Sequence, residues 1–138
     1  VITLHIAKLL ANAGFGTLDT DIFWEEVPIN ANGVPRNGIW VVTRGVPITR
    51  TNLHIQSFDI YARYGNKLTT HQKLESILEY LQTAFADVCT LPTVPPYSTT
   101  VYSNVRIVPT SGIDNVGTDE QDKIIKVVSG EIRWDKEN

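Results

Sequence analysis

The sequence predicts an α+β fold: a mainly antiparallel sheet with two amphipathic helices packed on one face, in the order α-β-β-β-α-β-β. Three observations predict it. Gln56 to Tyr64 alternates with period two, setting Phe58, Ile60, Ala62 and Tyr64 against Asp59 and Arg63. Leu74, Ile77, Leu78, Leu81 and Phe85 recur at three- and four-residue spacing, the stripe of a helix lying on a sheet. Strand-like runs before and after that helix are joined by turn-rich segments, whereas parallel neighbours would need long crossovers.

The elements follow in order. Ile2, Ile6, Leu9, Leu10 and Ala13 share one helical face, and Gly14 follows where a left-handed residue commonly ends a helix. The chain opens at Val1 with no methionine. Ile22 to Val27 is rich in strand formers and stops at Pro28, which cannot donate to a central ladder. Asn30 to Gly38 is dense in turn residues and contains two Asn-Gly steps. Ile39 to Arg44 is the second strand, Gly45 to Asn52 a long projecting loop, and Gln56 to Tyr64 the third strand. Gly65-Asn66 stops it, and Thr69 with Gln72 fits a capping box at the start of the second helix. Leu91 to Tyr97 holds three prolines and favours an extended path. Thr99 to Val108 resumes strand character, and an acidic loop from Pro109 to Asp122 leads to a long last strand, Ile124 to Trp134. Ser129-Gly130 is expected to shift its alternation as a bulge would.

Composition narrows the function classes. A chain of 138 residues is one domain's worth, and such a domain buries roughly 68% of its unfolded surface, enough for a core without staples. Its 42% hydrophobic and 20% charged content is ordinary for a globular protein. No apolar run approaches the roughly 18 residues of a membrane span, and no basic-then-apolar leader is visible, so synthesis in the cytoplasm is expected. Cys89 is the single cysteine, which rules out an intrachain disulfide. A net charge of −3 argues against general nucleic-acid affinity. The charge is uneven: Asp114, Asp119, Glu120, Asp122, Glu131, Asp135 and Glu137 crowd the later segments, and Arg36, Arg44 and Arg50 sit earlier. Opposite patches of this kind suit head-to-tail contacts between copies.

The residues hold no familiar catalytic kit. His5, His54 and His71 lie in different elements and form no ligand pair, so no metal site is expected. Asp114 to Glu120 lacks the spacing and terminal glutamate of a calcium loop. Gly14-Phe15-Gly16 begins like a dinucleotide fingerprint, but Asp19 stands where the third glycine belongs and a helix precedes it. No phosphate-cradling loop and no nucleophile elbow occur. Cys89, between Val88 and Leu91, reads as a small buried thiol. Glu25 and Glu26 adjoin on a strand and so point to opposite faces. Neither an enzyme nor a cofactor is expected. Trp24, Trp40 and Trp134 lie in strands, where they serve either core packing or a subunit interface. Arg44 and Arg50 bracket the projecting loop, either for solubility or as a charged rim or lumen contact.

Assembled in this order, the chain resembles the tail terminator proteins of long-tailed bacteriophages, also described as tail completion or minor capsid proteins. The resemblance spans nearly the whole chain. It rests on Ile6 to Leu10 in the leading helix, on Phe58-Asp59-Ile60-Tyr61-Ala62-Arg63-Tyr64 before the second, and on the closing run Ile124 to Ile132. It implies a single tail-terminator-like domain over 1–138, working as a homo-oligomeric ring, typically a hexamer, on the last turn of the tail tube. In that family the ring stops tube polymerisation and offers its other face to the head-completion complex at the neck, while viral DNA passes through without sequence-specific contact. The implied location is the virion, at the tail-neck junction, with no membrane involved. The alternatives are a neck or head-completion connector subunit, or a small enzyme with an unrecognised site. The resemblance maps no individual residue. The candidate interface or lumen residues are Arg36, Arg44, Arg50, Asp119, Glu120 and Trp134. Loops Asn30 to Asn37 and Gly45 to Asn52 are placed at tube or neighbour contacts, and the acidic loop near Asp119 on a partner-facing surface.

Overall fold

The computed structural model describes residues 2–26, 33, 35–50, 53–84 and 87–135. The expected end of the first strand at Val27-Pro28, the loop residues Asn30 to Asn32, Val34, Thr51 and Asn52, and Phe85 and Glu137 lie outside them, as does the side chain of Arg50. The elements are α1 (Ile2–Asn12), β1 (Ile22–Trp24), β2 (Gly38–Arg50), β3 (Leu53–Tyr64), α2 (Lys67–Ala84), β4 (Arg106–Pro109), β5 (Asp114–Thr118) and β6 (Ile124–Asp135). The fold is α+β, as expected, with a mostly antiparallel sheet. The order also agrees, with one strand added: β5 forms where an acidic loop was expected, because Asp114 to Thr118 pairs with the first half of β6.

The sheet runs β1-β2-β3-β6-β4, and β5 lies beside β6 beyond β4. One pairing departs from the antiparallel expectation. β1 joins β2 in parallel, with Ile22 opposite Ile39 and Trp24 opposite Val41, because the connection between them is long enough to carry the chain back to its starting end. Gly38 makes that junction possible. Its φ of +145 lies in a region L side chains avoid, and an added Cβ would stand 2.3 Å from the Asp21 carbonyl oxygen. That oxygen accepts the Ile39 N–H at 2.8 Å, so the two backbones meet where no side chain fits.

The core lies between the helices and one face of the sheet. Ile39 and Val41 of β2, Phe58, Ile60 and Ala62 of β3, and Val128 and Ile132 of β6 are buried there with Ile6, Leu10, Leu74, Ile77 and Leu81. The period-two reading of β3 therefore holds on this face. The expected bulge at Ser129-Gly130 does not occur, since β3 and β6 pair without interruption from Leu53 opposite Asp135 to Tyr64 opposite Ile124. Gly130 serves another purpose: it sits opposite Phe58, and a Cβ there would come within 2.7 Å of the Phe58 ring. The glycine is the space into which the aromatic ring lies.

Both helices have defined ends. After α1, the Phe15 N–H donates to Leu10 O and the Gly14 N–H to Ala11 O, both at 3.1 Å, with Gly14 at φ +90. This is a Schellman closure, so Ala13 is exposed in the turn instead of continuing the apolar face. The α2 cap is corrected. The helix begins at Lys67, and Asn66 is the cap: its Oδ1 accepts the Thr69 N–H at 2.7 Å. Thr69 is the third residue of the helix, three positions past the cap. Asn66→Ala is expected to cost about 1 kcal/mol, read as a lower urea midpoint with unchanged slope.

α1 is buried from Ile2 to Ala7 on every side, more than an amphipathic stripe requires. The proline-bearing stretch that was expected to run extended wraps its outer side, burying Leu91 and Val94. His5 fastens the wrap, with Nδ1 2.8 Å from Pro92 O and Nε2 2.9 Å from Ser98 Oγ. A carbonyl can only accept, so Nδ1 carries the proton and Nε2 accepts the serine hydroxyl. Burial lowers the pKa of His5, against the raising effect of the Pro92 carbonyl, and keeps the ring neutral. The expected strand from Thr99 shrinks to β4, because Leu91 and Tyr102 instead pair as part of this wrap. Cys89 is half-buried, bridged to Val105 through backbone bonds, and its thiol donates to Ala84 O at 3.2 Å.

Candidate interaction surfaces

The face of the sheet away from the helices carries the alternate residues of the same strands. Trp40 stacks on Tyr61, its cross-strand partner, with centroids 5.1 Å apart and planes within 8°. Both are half-buried, and Val127 continues the row on β6. Beside them, Asp59 accepts the Ser129 hydroxyl at 2.6 Å and pairs with Arg44 at 3.4 Å.

Arg63 belongs to this face, as the alternation placed it, and is nevertheless buried: its side chain is 2% exposed. Its guanidinium donates to Asp119 Oδ2, to Pro35 O at 2.7 Å and to Asn37 Oδ1 at 2.8 Å. The other oxygen of Asp119 accepts the N–H groups of Gln121 and Lys123, each at 3.0 Å. Burial pushes the Asp119 carboxyl up, and the hydrogen bonds from Arg63, Lys123 and Gln121 with the Arg63 charge outweigh it, holding the pKa below its ordinary value. A single buried cation thus ties two loops to the C-terminal end of β3. A cavity of about 350 Å³ opens over this latch, lined by Trp40, Arg63, Asp119, Glu120 and Ile125 among others.

The six expected interface residues do not gather in one place. Asp119 and Glu120 share that cavity, with Asp119 committed to the latch and Glu120 exposed. Arg36 donates to Thr20 O at 2.7 Å and lies 5.3 Å from the Phe23 ring centroid, so it braces the start of β1. Arg44 is 53% exposed despite its pairing with Asp59. Arg50 is the last residue of β2, opposite Leu53. Trp134 stacks on His54 at 5.2 Å, meets Tyr102 edge-on at 5.6 Å and packs against the core. Within the chain it packs across strands, and it stays partly exposed. Trp24 also packs against the core, whereas Trp40 stands on the face without helices. Glu25 is not a strand residue: at φ +64 it ends β1, and its carboxylate accepts from Thr3 Oγ1 at 2.7 Å and Thr43 Oγ1 at 3.2 Å.

The projecting loop is also corrected. β2 and β3 continue past a bulge between Arg44 and Ile48, with Ile48 opposite Ile55 and Arg50 opposite Leu53, and β6 pairs the other side of β3 as far as Asp135, so the projection is a prolongation of the sheet whose outer strand is the β2 arm. A ladder is stiffer than a loop, because its backbone groups are already paired. Residues 44–49 are exposed, with Val46 at 86% and Ile48 at 52%. Apolar side chains this open on a ribbon mark a contact surface more than a core.

Among the described residues, no group of three or more His, Cys, Asp or Glu is placed to hold a metal ion, and no helix is long and apolar enough to cross a membrane. Compared with known proteins, the chain matches no family model and no curated protein sequence.

Proposed function

We propose that this chain is a structural, non-enzymatic virion subunit of the kind it resembles, a tail terminator that closes into a ring, hexameric in the expected case. The ring caps the tail tube, stops its polymerisation and presents its opposite face to the head-completion protein at the neck, with viral DNA passing through the channel. The observation that carries this reading is the β2 arm: the second half of an edge strand, held to β3 and β6 on its inner side, with exposed Val46 and Ile48 and no strand on its outer side among the described residues. An isolated monomer gains nothing from such an arm, whereas a ring subunit uses it to reach a neighbour or the tube. The α+β order supports the same reading, and so does the separation of charge between the basic early segments and the acidic later ones.

The test is an order-of-mixing experiment. Purified protein added to tail tubes before heads is expected to cap them and halt their growth, seen as tubes of fixed length by electron microscopy. Attachment only to filled heads would assign the chain to the neck connector instead.

A further inference from the structure

The two margins of the sheet are open in different ways. β1 covers β2 only at Ile39, Trp40 and Val41, so from Arg44 to Arg50 no strand pairs with the outer side of β2 among the described residues. At the far margin β5 pairs with β6 alone, and its five residues are all exposed. An unpaired strand edge is a row of backbone donors and acceptors ready for another strand.

The chemistry of the two margins is complementary. From Val27 to Phe58 the chain contains Arg36, Arg44 and Arg50 and not one Asp or Glu. From Ile107 to Asp122 it contains Asp114 on β5 itself, with Asp119, Glu120 and Asp122 in the loop that follows, where Arg63 holds Asp119, and not one Lys, Arg or His. Each margin also shows aliphatic side chains: Val46 and Ile48 on the arm, Val116, 53% exposed, on β5. The lengths match as well, since at about 3.3 Å per residue the arm from Gly45 to Arg50 and the five residues of β5 each run roughly 17–20 Å.

We infer that the outer edge of the β2 arm pairs with the outer edge of β5 in a second copy of this chain, so that the sheet continues from subunit to subunit. The inference rests on the ring reading and names the contact that builds the ring. Such a contact is heterologous, one margin against the other, and repeats until it closes. A second arm is a poor partner for an arm, since it would set arginine-bearing edges together, and two β5 edges would set carboxylates together. Both edges also carry devices that discourage indiscriminate pairing. Pro47 lacks an N–H, and bulges interrupt the arm between Arg44 and Ile48 and β5 between Asn115 and Gly117. The pairing is therefore selected by charge and by the aliphatic contact, not by edge exposure alone.

The single cysteine makes the test clean. In a Cys89→Ala background, Ile48→Cys and Val116→Cys each place a thiol on a side chain already half exposed, and unchanged melting confirms that both variants fold. A short bismaleimide is added to each variant alone and to their mixture, in the presence of tail-tube ends, with assembly mass measured in parallel. Cross-linked dimer in the mixture, and none in either variant alone, is the expected result. A chain bearing both cysteines should give a ladder ending at the ring size. Dimer from Ile48→Cys alone would mean arm-to-arm pairing and overturn the inference. An assembled ring without cross-links would overturn it while leaving the ring reading intact. A protein monomeric even at tube ends would remove both.

Discussion

Asp119→Ala is expected to lower the free energy of unfolding by about 3 kcal/mol, because it strands the charge of a guanidinium that the fold keeps out of water. Arg63 would retain Pro35 O and Asn37 Oδ1 as acceptors but lose its counter-charge, and the N–H groups of Gln121 and Lys123 would lose the carboxylate that gathers their turn. Asp119→Asn keeps the shape and one acceptor, so its cost should be smaller. The pH dependence follows from the direction of the shift. The Asp119 carboxyl titrates below its ordinary 3.8 in the folded chain, so the unfolded chain binds that proton more readily. The latch therefore contributes fully above that value and is lost as pH falls through the folded pKa. The gap between wild type and Asp119→Ala should be widest at neutral pH and close under strong acid. His5, also lowered, weakens both proteins alike as pH drops below 6.5 and so leaves the gap unchanged. Urea midpoints across that range are the measurement, and a variant within 0.5 kcal/mol of wild type at pH 7, inside the ordinary scatter of about that size for surface changes, would sink the latch.

Gly38→Ala is the second large effect, at about 3 kcal/mol, from the positive φ and the contact with a backbone oxygen that has little freedom to move. The loss should appear locally first. β1 is three residues long and meets β2 at this point, so hydrogen exchange at Ile39 and Phe23 should rise before the rest of the sheet responds. Gly112→Ala is the control: nothing lies within 4 Å of its added Cβ, and it should change stability by no more than about 0.5 kcal/mol. Equal costs for the two would show that the clash at Asp21 O is relieved and that the junction is not fixed there.

The elements that could be read from sequence are those whose causes are local. Period two in β3 and the Leu74, Ile77 and Leu81 stripe of α2 each reflect one buried face, and Phe58, Ile60 and Ala62 are buried with that stripe. Readings that failed depended on partners distant in the chain. Gly130 looks like a bulge until Phe58, 72 residues earlier, is seen lying over it. Thr69 and Gln72 fit a capping pattern, but the strand ends at Tyr64 and leaves Asn66 nearer the first free N–H groups. The burial of Arg63 was not legible, because alternation assigns its face and says nothing of what covers that face; Pro35, Asn37 and Asp119 come from two other loops. The acidic loop hid β5 because Asp and Asn are poor strand formers, and the long edge of β6 overrides that preference. For the candidate surfaces, the uneven charge was visible at once. That Arg44 and Arg50 lie on one margin of the sheet and Asp114 on the other required the strand order.

The most direct measurement of the ring reading is the mass and symmetry of what forms on purified tail-tube ends, by electron microscopy with averaging of the tips. A single closed layer of this protein, six copies in the expected case, on tubes that then cease to lengthen is the predicted result. Bare tips on tubes that continue to grow, with the protein free as a monomer, would contradict it.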